Sequence, residues 1–295
     1  MILKKRNLIV ILLILLTSVY SGCLNNSNSF TVDINGYADF SSIRDAINKS
    51  LDGYTIYVHS GIYHESISLI KSINIIGSDP KTTMITGKEK KYGVDIVNIN
   101  ANNCSFSGFT ITNSFNSPSL TGIKISSNDN KIEDNIIIGA QVGIYIANGG
   151  INNMISGNVI SNNTDGISIF SAHNNYISDN VISNNSDSGI RMKDARLNVF
   201  KRNIIMSNEK GIYLCCEAIG NLFYNNIFEN NYEMNVKGSA TNSWSNGSIG
   251  NYWDGYSNSD SDNDGIWDEP YPIEADITQD DYPVVNRPEI YNNIY

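Results

Sequence analysis

Asn158-Val-Ile-Ser-Asn-Asn-Thr-Asp-Gly-Ile-Ser-Ile169 is followed by Asn180-Val-Ile-Ser-Asn-Asn-Ser-Asp-Ser-Gly-Ile-Arg-Met192, nearly the same phrase written twice. Outward from that pair the phrase continues in both directions. Gly122-Ile123, Gly143-Ile144, Gly166-Ile167, Gly189-Ile190 and Gly211-Ile212 recur every 21 to 23 residues, and Asn135, Asn158, Asn180, Asn203 and Asn226 keep the same step. Each period holds short runs whose apolar residues alternate, separated by Asn, Ser and Gly corners. That pattern describes one coil of a solenoid whose strands point inward at every second residue. A single coil cannot bury its own core, but a stack of them can.

The first residues hold Lys4, Lys5 and Arg6, then the apolar run Leu8 to Leu16, then Ser21-Gly22-Cys23. The run is too short to span a bilayer and reads as a signal peptide over residues 1–22. Ser21-Gly22-Cys23 resembles the lipobox of secreted lipoproteins, with Tyr20 where an aliphatic residue is usual. Cys23 is thus the candidate lipidation site, and residues 23–30 a polar tether. Loss of residues 1–22 would move the formal charge from −10 to −13. Such a surface repels nucleic acid and anionic lipid, so a membrane contact would run through the N-terminal anchor only. Cys104 and the adjacent Cys215 and Cys216 lack metal-type spacing and read as buried thiols.

Residues 41–49 place Ile43, Ala46 and Ile47 at helical spacing behind a Ser cap, so a short helix covers the open end of the solenoid. With Ser42-Ile-Arg-Asp-Ala-Ile47, Gly53-Tyr-Thr-Ile-Tyr-Val58, Gly61-Ile-Tyr63-x-Glu65, Lys71-Ser-Ile-Asn-Ile-Ile-Gly77 and Thr83-x-Ile85-x-Gly87, the chain resembles the NosD-like, carbohydrate-binding-and-sugar-hydrolase branch of the pectin-lyase-like superfamily. The resemblance covers residues 31–245. It implies a right-handed parallel β-helix, all-β, and brings with it three kinds of role: glycan binding, polysaccharide chemistry, or copper handling beside a metalloenzyme. Copper would call for clustered His, Met or Cys, and His59, His64 and His173 show no such clustering. The Asn columns 130, 153, 175, 198, 221 and 135, 158, 180, 203, 226 read as structural ladders, since Asn tolerates a left-handed corner and its amide can bond the next rung.

Residues 246–295 read as an irregular C-terminal cap, resembling the tail of archaeal surface β-helix proteins. Within it, Asp260, Asp262, Asp264 and Asp268 stand at positions one, three, five and nine of a calcium loop, with Gly265 at the turn and the Ile266 carbonyl at position seven. Position twelve is Tyr271, so a bidentate acid would have to come from elsewhere, such as Asp280 or Asp281.

Two readings compete for the exposed face of the Gly-Ile strands. The outward residues run Asp95, Lys124, Tyr145, Ser168, Arg191, Tyr213. Tyr145 and Tyr213, three coils and about 14 Å apart, could stack sugar rings with Arg191 between them. Alternatively Asp165, Asp187, Glu209, Arg191 and Lys210 could form a lyase, epimerase or hydrolase site. Asp187 and Glu209 share a column, so their carboxylates would lie close together. The sequence favours a secreted, lipid-anchored, non-catalytic surface module that binds glycan or envelope components, with calcium in its cap.

Overall fold

The computed structural model describes residues 28–87, 94–112, 121–238, 241–274 and 278–290. Residues 1–22, read above as a signal peptide, and Cys23 lie outside them. The chain winds through three parallel sheets of nine, nine and eight strands. Sheet A begins with Ser29–Val32 and ends with Leu222–Tyr224; sheet B runs from Gly61–His64 to Tyr252–Trp253; sheet C runs from Ile67–Leu69 to Met234–Lys237. Each coil visits A, then B, then C, as in Lys131–Glu133, Ile136–Ile138 and Val142–Ile146.

Register is fixed by the inward isoleucines. Ile123, Ile144, Ile167, Ile190 and Ile212 pair in succession along sheet C and all are fully buried. A slip of one residue would turn this whole column to solvent, which is why the register is unique. Helix α1, Ile43–Lys49, closes the N-terminal end with Ile43, Ala46 and Ile47 buried. Ser42 accepts from the Asp45 N–H, and the Glu65 carboxylate accepts from the N–H groups of Ile43 and Arg44 at 3.0 Å. At the other end of the helix Lys71 donates to the carbonyls of Ile47, Asn48 and Ser50. All the orphan groups that a seven-residue helix presents at these contacts are thereby answered by the first coils.

The asparagines form three ladders, one at each corner. Asn130, Asn153, Asn175, Asn198, Asn221 and Asn242 stand between sheets C and A. Asn135, Asn158, Asn180, Asn203, Asn226 and Asn251 stand between A and B. A third, Asn163, Asn185, Asn208 and Asn231, stands between B and C. In each, the side-chain oxygen accepts from both the backbone N–H and the amide of the Asn one coil back. The left-handed residue is not the ladder Asn but the one before it: Asp134, Asp179, Arg202 and Asn225 all have φ between 53° and 57°. The corner turns on that residue, and the Asn behind it points inward to satisfy the buried backbone.

The solenoid continues beyond the point where its sequence period fades. Met234–Lys237 adds to sheet C and Tyr252–Trp253 to sheet B, while Asn242 and Asn251 extend two ladders, so a boundary at residue 245 falls within a coil. The core closes on stacked aromatics: Phe200, Phe223 and Trp244 in one pile, Phe228, Trp253 and Tyr271 in another. These large rings cover the last coil as α1 covers the first.

Candidate binding face on sheet C

The outward column of sheet C reads Asn98, Lys124, Tyr145, Ser168, Arg191, Tyr213, Lys237 in hydrogen-bonded register. Asn98, not Asp95, therefore faces Lys124 in the column; Asp95 sits to the side and meets the Lys124 ammonium at 3.5 Å. Tyr145 and Tyr213 are half-buried with ring faces held by neighbours. Tyr145 makes an edge contact with Phe170 at 5.5 Å, and the Arg191 guanidinium lies 4.9 Å from the Tyr213 ring centre. Such contacts lock two aromatic side chains at modest entropy cost and leave their outer surface available.

The five candidate catalytic residues meet only in part. Arg191 Nε donates to Asp165 at 2.8 Å and its terminal nitrogen to Asp187; Lys210 donates to the other Asp187 oxygen at 2.8 Å and reaches Glu233 at 3.1 Å; Lys237 closes on Glu233 at 2.7 Å. Glu209 is exposed and stands outside this chain of ion pairs, so the close approach expected between Asp187 and Glu209 is replaced by a cation-bridged pair, Asp187 and Glu233. Two cations on Asp187 satisfy its oxygens better than a second carboxylate could. Burial raises the Asp165 carboxyl above its ordinary range despite Arg191. At Asp187 burial pushes the same way, but hydrogen bonding to Lys210 and the charge of Arg191 outweigh it and hold the carboxyl low.

In the cap, Asp260, Asp262 and Asp264 bring carboxylate oxygens within 4.8 Å of one another. Asn263 and Gly265 take left-handed conformations that curl the loop, and the Gly265 N–H donates to Asp260. Asp268 departs from the expected ligand set: its carboxylate accepts from the hydroxyls of Ser259 and Ser261 at 2.8 and 2.7 Å. The Ile266 N–H donates to Asp264. Asp280 is fully buried on Asn251 and Trp253, and Asp281 accepts from Gln279, so neither is placed as a twelfth-position acid.

Soft-metal ligands do not converge. His59 lies near Asp33, His64 shares a hydrogen bond with Thr86, and His173 Nδ1 accepts from the Arg196 N–H, each at a different corner or strand end. Among the described cysteines only Cys104 is a buried thiol, its acidity reduced by that burial. Cys215 and Cys216 are instead joined in a disulfide, with Cys216 exposed. Among the described residues, Asp260, Asp262 and Asp264 form the one group of three or more such side chains close enough to share an ion.

The fold is that of a right-handed parallel β-helix. A model of the family described as "Periplasmic copper-binding protein (NosD)" matches residues 47–258, and the chain belongs to that family. The copper ligands that the family description leads one to look for are not gathered in the described residues of this chain.

Among solved structures, the chain is similar to the pectate lyase Pel9A, with 16% identity and a TM-score of 0.57 over 68% of this chain; it spans 62% of that enzyme's length. A pectin methylesterase from Yersinia enterocolitica aligns at 15% identity and 0.52 over 68% of this chain and 82% of its own. A pectin methylesterase variant in complex with a hexasaccharide aligns at 15% and 0.50 over 70% and 80%. These likenesses establish the fold. Curated protein sequences yield no match.

Proposed function

We propose that this protein is an extracytoplasmic, non-catalytic module that binds glycan or envelope components along sheet C, tethered to the outer face of the membrane through lipid on Cys23. The observation that carries the reading is the ion-pair chain from Asp165 to Lys237, which leaves two fixed tyrosines outward and engages four of the five candidate catalytic residues, Asp165, Asp187, Arg191 and Lys210. A lyase needs a free base and carboxylates open to a cation. Here Arg191 and Lys210 are each shared by two carboxylates. The family's periplasmic description agrees with this placement, and among the described residues no helix is long and apolar enough to cross a membrane. Calcium at Asp260, Asp262 and Asp264 is proposed as a structural ion of the cap, weakened by the absence of a twelfth-position acid.

The test is retention in native gels cast with polysaccharides. Tyr213→Ala should weaken retention by about two- to tenfold, the size of one lost aromatic contact, with unfolding temperature nearly unchanged. Unaltered retention in this variant and in Tyr145→Ala would remove sheet C as the site. A second reading, hydrolysis, is favoured by one observation: Asp165 and Asp187 have acidities moved in opposite directions, the arrangement that assigns acid and base roles. Shortened polymer after incubation, lost in Asp187→Ala, would establish it.

A further inference from the structure

Sheet C also indicates which glycans it can hold, an inference that rests on the binding reading above. We infer that its ligand is an uncharged glycan chain and that polyuronates are rejected. Gripping a uronate carboxylate requires a cation with donors to spare, best a guanidinium presenting two parallel N–H groups. Arg191 has its Nε on Asp165 and a terminal nitrogen on Asp187, and its side chain is only 25% exposed. Lys210 lies between Asp187 and Glu233 at 16% exposure, Lys237 is on Glu233, and Lys124 is beside Asp95. Lys193, exposed at the strand end, is the one cation of this face outside the ion pairs among the described residues, and Glu209 offsets it. Among the described residues the face is thus neutral in sum, within a chain of formal charge −10.

Beyond the single point charge of Lys193 at the strand end, an acidic polymer would have to draw a cation away from a partly buried carboxylate, leaving that carboxylate uncompensated. A neutral sugar meets no such cost. Its C–H faces can lie on Tyr145 and Tyr213, and its hydroxyls can donate to the carboxylate lone pairs that the cations leave free.

The test compares retention in gels containing hydroxyethylcellulose, galactomannan or laminarin with gels containing polygalacturonate or alginate, at fixed ionic strength. Wild-type protein should be retained by at least one neutral polymer and by neither acidic one. Asp187→Asn, which frees one edge of Arg191 and one partner of Lys210, should gain at least about fivefold in affinity for polygalacturonate, provided thermal unfolding shows it folded. Retention by polygalacturonate or alginate as strong as by any neutral polymer would overturn the inference while leaving glycan binding in place. Retention by none of the five would overturn the binding reading and this inference with it.

Discussion

The A–B ladder ends on a carboxylate, and that end should be sensitive to pH. Asn251, its last amide, donates its backbone N–H and its side-chain amide to Asp280 Oδ2 at 2.7 and 3.2 Å, as each earlier Asn donates to the next. Trp253 Nε1 adds a third donor at 2.9 Å, and the Tyr282 N–H reaches Oδ1 at 3.1 Å. A glycine, Gly250, is needed alongside, because a Cβ there would collide with the carboxylate. Burial nevertheless dominates these donors and raises the Asp280 carboxyl from 3.8 to about 6. The fold therefore prefers the neutral acid. A group raised in this way contributes stability that is full below pH 3.8 and lost as pH climbs through 6. The full difference is about 3 kcal/mol, of which about 1 kcal/mol falls between pH 5 and pH 7. For a chain of this size that amounts to about 2–4 °C in unfolding temperature. Asp280→Asn removes the titration while other carboxylates remain common to both proteins. Its amide NH₂ would face the Tyr282 N–H, so the variant carries an offset that does not depend on pH. The unfolding temperature of wild type minus that of Asp280→Asn should rise by about 2–4 °C from pH 7 to pH 5. Parallel curves across that range would refute the assignment.

Two further outcomes can be stated. Asn180→Ala removes an acceptor used twice by Asn158 and leaves the buried Asn158 N–H without a partner, while the Asn158 amide keeps the Ile132 and Ser156 carbonyls; chemical denaturation should show a loss of about 1–3 kcal/mol. Calcium at one hundred times its dissociation constant should stabilise the protein by about 2.7 kcal/mol if the cap loop binds it, and Asp262→Ala should abolish that gain; a chelator-insensitive unfolding temperature would remove the metal from the account.

The coil period was legible because one phrase, Gly-Ile-x-Ile, must recur wherever an inward isoleucine column is to stay in register. The ladders were legible as columns of Asn, though not which residue bends: the left-handed position is taken by Asp134, Asp179, Arg202 and Asn225, which are not of one residue type. The third ladder was hidden because its members, Asn163, Asn185, Asn208 and Asn231, stand in Asn-rich corners where single positions carry little contrast. The last coil was missed for the opposite reason. Met234-Asn-Val-Lys237 replaces Gly-Ile-x-Leu, and only pairing with Lys210–Cys215 reveals it as the same strand. With that strand went Glu233 and Lys237, two of the six members of the sheet C charge network.

That loss explains why the site looked more reactive in sequence than in structure. Seen along the chain, Asp165, Asp187 and Glu209 are acids one coil apart, as a metal or proton-transfer site would need. Across coils, Asp165 meets Arg191, Arg191 meets Asp187, Asp187 meets Lys210, Lys210 meets Glu233, and Glu233 meets Lys237. Each acid is joined to a cation on a neighbouring coil or on its own, so the network fastens coil to coil where the inward isoleucines are otherwise interchangeable. Neutralising its members in pairs should cost less stability than removing one, since a lone partner left half-buried is the expensive state. A face whose charges hold its own coils together can present aromatic rings to a ligand, but it has few charges left to do chemistry on one.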